Sequence, residues 1–303
     1  MIKSSFSIKD LENLSGVKSH TIRIWEKRYE LLTPDRTDTN IRTYNLKALR
    51  KILNVSFLKN TGMRISHIAE LSDDEIGDQV RLIAEMDNLN DHGIQKLKLA
   101  MVNFDQVLFQ KTYKLIYEKS GFSGVFFELF VPFLEELGLL WQSKTINIAH
   151  EHFISHLIKQ KLLTNLEELQ YQESNPNQKA YILFLPEHEM HDLGLLFLNY
   201  QLLLLNKRTI YLGESMIIEA LKFFKSKEID PTYITYMTVS PTEKKIPTFL
   251  KQFHKKIQKG NNSELWILGH LAKKIKKETL MNNQSVFVSI DEVIKEIPQL
   301  VSA

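Results

Sequence analysis

Residues 178–303 alternate between apolar, β-rich runs and stretches with helical patterning, and this pattern constrains the fold more than any other feature of the chain. Alternation of this kind requires a parallel sheet with right-handed crossovers. The predicted strands are Ala180–Leu185, Arg208–Leu212, Tyr233–Val239, Glu264–Leu268 and Ser285–Ile290. The predicted helices cover about 192–206, 215–228, 243–258, 271–277 and 291–300.

Five such units favour the flavodoxin-like strand order 2-1-3-4-5, whose switch point lies between strands one and three. Ligands bind these sheets in the crevice beyond the carboxyl ends of the strands. The loops after strands one, three and four should therefore share one crevice. They carry, in order, Glu189 and His191, the segment Ser240-Pro241-Thr242, and the pair Gly269-His270.

The loop after the first strand contains the sequence Glu189-x-His191-x-x-Gly194. A His at this spacing can bind a metal through one ring nitrogen while the carboxylate holds the N–H of the other. Gly194 removes a side chain where the backbone must approach a bulky ligand. Two other interpretations stay open. One is a polar loop without a ligand, and the other is a zinc site with Glu187 and His188, which is disfavoured because a further ligand at suitable spacing and cysteines are both missing.

Two short helices separated by a glycine turn open the chain. Ser7 is placed to cap the first helix, Gly16 makes the turn, and Ser19 is placed to cap the second. Such a pair predicts a helix-turn-helix, whose second helix lies in the major groove of DNA with its early residues near the base edges. Trp25 is expected to pack in the core. The residues expected to contact DNA here are Lys18, Thr21 and Arg23.

The stretch after the second helix predicts a wing. Pro34 ends the helix, and two short extended pieces follow, which would form a β-hairpin. This hairpin would direct Arg36, Arg42 and Tyr44 toward the phosphate backbone. Residues 1–64 hold 13 Lys and Arg against 6 Asp and Glu, whereas the whole chain carries only +3. A basic module on an otherwise mildly acidic chain indicates a nucleic-acid-binding head.

The middle of the chain predicts a bundle of four antiparallel helices, because apolar residues recur at helical spacing and the connections are short. Pro132 would kink the third helix or mark its true start. Trp141 would end that helix, and Asn147 would cap the next. Polar stretches at Asp87–Gly93 and Asn175–Gln178 would flank the bundle. The predicted helices are Ile94–Asn103, Phe104–Ser120, Gly124–Trp141 and Ile148–Leu169.

The head contains the string Thr-Ile-Arg-x-Trp-Glu-x-Arg-Tyr, followed by Leu-x-Pro-x-Arg and Arg-x-Tyr. Over about 70 residues it resembles the winged-helix head of the MerR family. The resemblance implies a head that binds double-stranded promoter DNA as a dimer. A long dimerisation helix often follows that head, but here residues 73–89 are interrupted by Gly77 and lack a heptad pattern. We therefore expect self-association to involve another part of the chain.

Trp141 is followed by nine residues and then Glu151-His152, and the Glu189-x-His191-x-x-Gly194 loop comes later. Together they resemble the helical cap and cobalamin-binding domain of MerR-type cobalamin photoreceptors, the CarH and LitR group. The resemblance implies that His191 is the lower ligand of cobalt, with Glu189 as its hydrogen-bond partner. It also implies roles above the cobalt for Trp141, Glu151 and His152, and around the nucleotide tail for Gly194, Ser240 and Gly269.

The cofactor implied by the resemblance is cobalamin, most often as adenosylcobalamin, and the implied signal is light that breaks the cobalt–carbon bond. Two positions depart from the pattern of the tail pocket, since Thr242 replaces a leucine and His270 replaces a glycine. A His there either crowds the tail or turns outward. The departures keep open a MerR-type regulator with a degraded cobalamin pocket, controlled by a partner protein or another ligand. A cobalamin-dependent mutase or methyl-transfer module is disfavoured by the DNA-binding head.

These inferences predict three domains: a winged helix-turn-helix head at 1–75, a four-helix cap at 76–174 and a flavodoxin-like cobalamin domain at 175–303. The chain is predicted to be a non-enzymatic transcription regulator in which cobalamin controls assembly into a homodimer or tetramer. Coupling several weak heads raises promoter occupancy through effective concentration. The absence of cysteine, of a signal segment and of a long apolar run predicts a cytoplasmic protein without membrane contact.

Overall fold

The computed structural model describes residues 5–86, 93–143, 145–171, 178–225 and 230–297. The chain divides into two units, Met1–Ile158 and Lys159–Ala303. The head and most of the predicted bundle therefore belong to one unit. Three predictions lie partly outside the described residues: the polar stretches at 87–92 and 175–177, the boundary at 174/175, and the ends of two helices at 226–228 and 298–300.

The head contains the predicted helix-turn-helix and wing. Gly16, at φ +73°, ends the first helix in the left-handed conformation. The wing is an antiparallel hairpin with Arg36 opposite Arg42, as predicted, and a strand at residues 5–7 extends it to a three-stranded sheet. The elements are β1 (Ser5–Ser7), α1 (Ile8–Ser15), α2 (Ser19–Tyr29), β2 (Asp35–Arg36), β3 (Arg42–Asn45), α3 (Leu46–Asn60), α4 (Ile65–Glu70) and α5 (Asp73–Met86).

The two predicted helix caps of the head have different outcomes. Ser7 caps α1 in a capping box: its hydroxyl accepts the N–H of Asp10 at 3.2 Å, and the Asp10 carboxylate accepts the N–H of Ser7 at 2.7 Å. The prediction that Ser19 caps α2 is wrong, because Lys18 stands at the N-cap. Glu12 offers a charged acceptor, so the Ser19 hydroxyl donates to it and does not accept from α2.

The bundle follows the prediction closely. The predicted third helix starts as a π-helix, and Pro132 then stands in the first turn of an α-helix, so this proline marks a helix start. Trp141 lies at the end of that helix, and the side-chain oxygen of Asn147 accepts the N–H of Ala149 at 3.0 Å at the start of the next. The elements are α6 (Gly93–Asn103), α7 (Gln106–Gly124), the π-helix Val125–Phe130, α8 (Val131–Gln142) and α9 (Ile148–Gln170).

Within the first unit, the loop between α8 and α9 is tied to the first helix of the head. Thr145 is fully buried, and its hydroxyl donates to Asp10 at 3.1 Å. The same carboxylate closes the capping box of α1, so it links the start of the helix-turn-helix to the loop that follows Trp141. Asn13 adds a second contact by donating its amide N–H to Thr145 at 3.4 Å.

The second unit contains the predicted five-stranded sheet. All four strand pairs are parallel, and the order β5-β4-β6-β7-β8 is the predicted 2-1-3-4-5, which confirms the flavodoxin-like topology. The elements are β4 (Tyr181–Pro186), α10 (Leu193–Leu204), β5 (Thr209–Met216), α11 (Ile218–Leu221), β6 (Thr232–Tyr236), α12 (Ile246–Phe253), β7 (Glu264–Leu268), β8 (Gln284–Val286) and α13 (Ile290–Glu296).

Two of the predicted crossover helices are shorter than expected. The predicted helix at 215–228 is a single α-turn, α11, followed by a 3₁₀ turn to Phe224. The prediction of an α-helix at 271–277 is wrong, because this stretch contains a 3₁₀ turn at Ala272–Lys274 and another begins at Lys277. The apolar residues of that crossover, Leu271, Ala272, Ile275 and Leu280, pack against the core, and short turns keep the intervening lysines in solvent.

The strands that lead to the predicted crevice are the most buried in the sheet. Every residue of β4 is buried, as are four of the five residues of β6. Loops that follow two such strands start from a fixed position, which suits a site that must hold a side chain in one orientation. Among the described residues, no helix is both long and apolar enough to cross a membrane.

Candidate functional site

The carboxylate of Glu189 joins two loops at the carboxyl ends of the sheet. Its side chain is fully buried. One oxygen accepts the N–H groups of Met190 and His191 at 3.0 and 3.1 Å and the ring Nδ1–H of His191 at 2.6 Å. The other oxygen accepts three consecutive backbone N–H groups from the loop after β6, at 2.9, 2.7 and 2.8 Å, from Thr238, Val239 and Ser240. A single side chain therefore brings the loops after β4 and β6 together, as the predicted topology requires.

These hydrogen bonds keep Glu189 ionised. Burial alone raises the pKa of this carboxyl, but the hydrogen bonds from the His191 ring and from the backbone N–H groups of Ser240, Val239 and His191 outweigh it and lower the pKa to about 2. An ionised carboxylate can only accept hydrogen bonds. The Nδ1 atom of His191 therefore carries a proton, which leaves Nε2 as the nitrogen with a lone pair suited to a metal.

The imidazole of His191 faces solvent, with its side chain 57% exposed. Met190 and Val239, which flank it in the two loops, are exposed apolar side chains. An exposed ligand nitrogen in loops that also expose apolar side chains suits a large, flat metal complex. A corrin supplies its own equatorial nitrogens, so one protein ligand suffices. The described residues contain no group of three or more His, Cys, Asp and Glu side chains that could hold a bare metal ion.

The residue after His191 is held by a buried ion pair. Asp192 is buried and lies 2.6 Å from the Nζ atom of Lys159, which also contacts Glu214 at 3.0 Å. The hydroxyl of Tyr211 donates to the same carboxylate at 3.5 Å. Burial raises the pKa of Asp192, and Lys159 opposes this. Both sides of the His191 position are thus fixed by buried carboxylates, Glu189 before it and Asp192 after it.

Gly194 meets a side chain of this chain where the resemblance implied a ligand. A Cβ atom built on Gly194 would lie 2.7 Å from Cζ and 2.8 Å from Cε2 of Tyr236. The ring of Tyr236, at the end of β6, therefore packs directly on the backbone of α10. Only a glycine at position 194 permits this contact.

The other two residues implied for the tail pocket are also engaged in contacts within the chain. The Ser240 hydroxyl donates to the carbonyl oxygen of Glu187 at 2.8 Å, and its N–H donates to Glu189. Gly269, at φ +101°, lies so close to Met237 that a Cβ would meet its carbonyl oxygen at 2.4 Å. The site thus fits a metal ligated by His191, whereas the neighbouring groups hold the loops together.

The two positions that departed from the family pattern, Thr242 and His270, are both exposed. His270 follows Gly269 in the loop after β7 and faces solvent, so the outward orientation is the one observed. The crowding beside Gly194 comes from Tyr236, which sequence reasoning missed. The signal was the alternation in β6, which directs residues 232, 234 and 236 to one face of the sheet.

The residues implied for the upper face of the cobalt lie in the first unit. Trp141 is 48% exposed at the end of α8. Glu151 and His152 stand on the first turns of α9, 3.4 Å apart between Oε2 and Nε2, and Glu151 accepts the Ser155 hydroxyl at 2.8 Å. Their roles toward a cofactor stay predictions.

In the head, Lys18, Arg23 and Arg36 are exposed, and Thr21 is partly exposed. The exposed cations suit contact with DNA, and these assignments stay predictions. Trp25 is buried, as predicted.

Two wing residues are held by Glu26 of α2. The prediction that Tyr44 faces the phosphate backbone is wrong, because its side chain is 1% exposed and its hydroxyl donates to Glu26. Arg42 is 34% exposed and lies 3.3 Å from the same carboxylate, so it braces the wing against α2. Arg36 is then the wing cation most open to DNA.

Two segments of the chain match known sequence families. Residues 6–75 match the MerR HTH family of regulatory proteins, and residues 94–164, which include α6 to α8 and most of α9, match the B12 binding domain. The chain is 25% identical over 227 residues to the HTH-type transcriptional repressor CarH of Myxococcus xanthus, and the match covers 73% of this chain and 75% of that protein.

Weak matches among solved structures include two corrinoid proteins. The monomethylamine corrinoid protein of Methanosarcina barkeri is 12% identical, with a TM-score of 0.37, over 69% of this chain and 94% of that one. A cobalamin-binding protein from Desulfitobacterium hafniense is 11% identical, with a TM-score of 0.29, over 83% of this chain and 96% of that one.

The Glu189 carboxylate should make stability depend on pH. Its folded pKa of about 2 lies below the usual 4.5, so its contribution is present at neutral pH and is lost as the pH falls from about 4.5 toward 2. The shift corresponds to about 3 kcal/mol. The substitution Glu189→Gln places an amide NH₂ against one set of N–H donors. We therefore expect it to lower the free energy of unfolding at pH 7 by a comparable amount, measured by urea unfolding. The difference in unfolding free energy between this variant and the unaltered chain should become smaller in acid. A difference that stays constant down to pH 3 would show that the Glu189 charge does not stabilise the fold.

Proposed function

We propose that this chain, which joins a MerR-type helix-turn-helix head to a B12-binding domain, is a DNA-binding transcription regulator that responds to a bound corrinoid. The observation that carries the proposal is the pair Glu189 and His191. A buried carboxylate fixes one tautomer of an exposed imidazole at the carboxyl ends of a parallel sheet, the position at which doubly wound folds bind ligands.

In this proposal, His191 binds cobalt through Nε2, and Glu189 and Asp192 hold the loop in place. The charge on Glu189 makes the imidazole a better donor toward a metal. A bound corrinoid supplies a cobalt centre whose upper ligand can be exchanged and, in adenosylcobalamin, released by light. Trp141, Glu151 and His152 are the residues proposed to face that upper ligand.

The contacts within the first unit support a route from the cap to the DNA-binding head. The loop that follows Trp141 is tied to α1 through Thr145 and Asp10. A ligand that displaces Trp141 or the start of α9 would therefore act on an element that also anchors the helix-turn-helix. We propose that the response is a change in self-association, to a dimer or tetramer, that sets how many heads reach a promoter together.

The MerR-type head argues against the alternative of a corrinoid-dependent enzyme. An enzyme of that kind needs a site for a second substrate beside the corrin. The N-terminal residues of this chain instead form a basic winged helix that matches the MerR family. The relative from Myxococcus xanthus is a transcriptional repressor. Binding to promoter DNA is accordingly the activity to test first in this chain.

Cobalt ligation by His191 is testable with hydroxocobalamin and with cobinamide, a corrinoid that lacks the nucleotide. A corrinoid bound through His191 should remain on the protein after desalting and should show a shifted absorption spectrum. The substitution His191→Ala should abolish both the retention and the spectral shift. His188→Asn is the matched control, because His188 lies in the same loop, is largely exposed and has a positive φ that Asn tolerates. If His191→Ala still binds both corrinoids with the same shifted spectra, His191 is not the cobalt ligand.

DNA binding by the head predicts distinct effects of two arginines. On a duplex enriched from a random pool, Arg23→Ala should weaken binding by about 1–3 kcal/mol if it contacts a base edge. Arg36→Ala should lower the slope of log affinity against log salt by about 0.9, as the loss of one phosphate contact requires. Lys119→Ala, an equal charge change on exposed bundle surface, is the control. If replacing an arginine changes the DNA affinity and the salt slope no more than Lys119→Ala does, that arginine does not contact DNA.

A further inference from the structure

The space beside the His191 loop is filled by the ring of Tyr236. Three atoms of this ring would lie within 3.1 Å of a Cβ on Gly194, the second residue of α10 and only three residues after His191. Tyr236 is the last residue of β6, and the loop that it leads into is bound to Glu189 by three N–H groups. The ring is therefore held between the two elements that form the crevice.

The loops after β6 and β7 are also held by contacts within the chain. The Ser240 hydroxyl is committed to the carbonyl oxygen of Glu187, and Gly269 is pressed against the backbone of Met237. Moving the loop after β6 would break its three hydrogen bonds to the buried Glu189 carboxylate. Rotation of the Tyr236 side chain would require it to leave its packing on α10. The ring of Tyr236 thus occupies the space next to Gly194, beside the His191 loop.

Corrinoids differ in whether they carry a nucleotide that would need the space filled by Tyr236. In cobalamin, a benzimidazole nucleotide is attached to the lower face of the corrin, the face that a histidine ligand approaches. When His191 takes the lower position, the displaced nucleotide must be accommodated on the same side, beside the histidine loop. Cobinamide lacks this nucleotide and presents only the corrin and its amide side chains to that surface. The two ligands share the same cobalt and macrocycle.

We propose that Tyr236 makes this site selective for corrinoids that lack the lower nucleotide, and that it disfavours cobalamin itself. The inference rests on the proposed ligation of cobalt by His191 and specifies the class of ligand that this ligation accepts. Tyr236 acts as a specificity-determining residue: it excludes a group by occupying its place.

The test compares the affinities of two ligands for three variants of the full chain. Equilibrium dialysis and absorbance titration give dissociation constants for aquocobinamide and hydroxocobalamin. For the unaltered chain we expect cobinamide to bind at least about tenfold more tightly, a difference of about 1.4 kcal/mol. Tyr236→Phe keeps the ring and should keep the preference. Tyr236→Ala removes the ring and should bring the two affinities together, chiefly by strengthening the binding of cobalamin.

Each outcome of this test has one meaning. If the unaltered chain binds both corrinoids equally and His191→Ala abolishes both, Tyr236 is not selective and only this inference is overturned. If neither corrinoid binds, the proposed function and the inference both fail. Circular dichroism and thermal melting establish whether Tyr236→Ala folds. If Tyr236→Ala does not fold, the test rests on the unaltered chain and on Tyr236→Phe. A tenfold preference of both for cobinamide over cobalamin supports the inference. Equal affinities for the two corrinoids overturn it.

Discussion

The buried carboxylate of Glu189 is the interaction on which the candidate site depends. Six N–H groups converge on its two oxygens, three from the loop after β4 and three from the loop after β6. Without that charge, two sets of N–H donors would lose their ionised acceptor, at a cost of about 3 kcal/mol. The tautomer of His191, the position of Ser240 and the closed packing of Tyr236 on Gly194 all follow from these contacts.

The two units have complementary parts in the proposed regulator. The second unit presents one oriented imidazole with Tyr236 packed on Gly194 beside it, and in the proposal it would select which metal complex is held. The first unit contains the basic helix-turn-helix, the wing and the helices that match a B12 binding domain. Within that unit, Asp10 serves both the capping box of α1 and the hydroxyl of Thr145. In the proposed regulator, a disturbance at the start of α9 would reach α1 through the buried carboxylate of Asp10.

Periodicity and spacing in the sequence predicted the architecture, because hydrophobic patterns report directly on which face of an element is buried. The strand order, the wing, the Ser7 cap and the Glu189–His191 pair were all accessible in this way. Two of the errors arise from hydrogen-bond partners outside the local sequence pattern. Ser19 and Tyr44 were misassigned because Glu12 and Glu26, which no local pattern connects to them, accept their hydroxyl groups. The packing of Tyr236 on Gly194 was accessible only in part, since the strand pattern of β6 gives the face on which Tyr236 lies but not the atom that it meets.

The most direct test of the account is whether a bound corrinoid changes DNA binding. The dissociation constant and the size of the complex should be measured in the dark on one selected duplex, with and without saturating cobinamide. The account predicts that both quantities change with the corrinoid, and that neither changes when His191 is replaced by alanine. If the corrinoid is retained on His191 while DNA affinity and complex size stay the same, the two units are not coupled through this ligand and the proposed regulation is wrong.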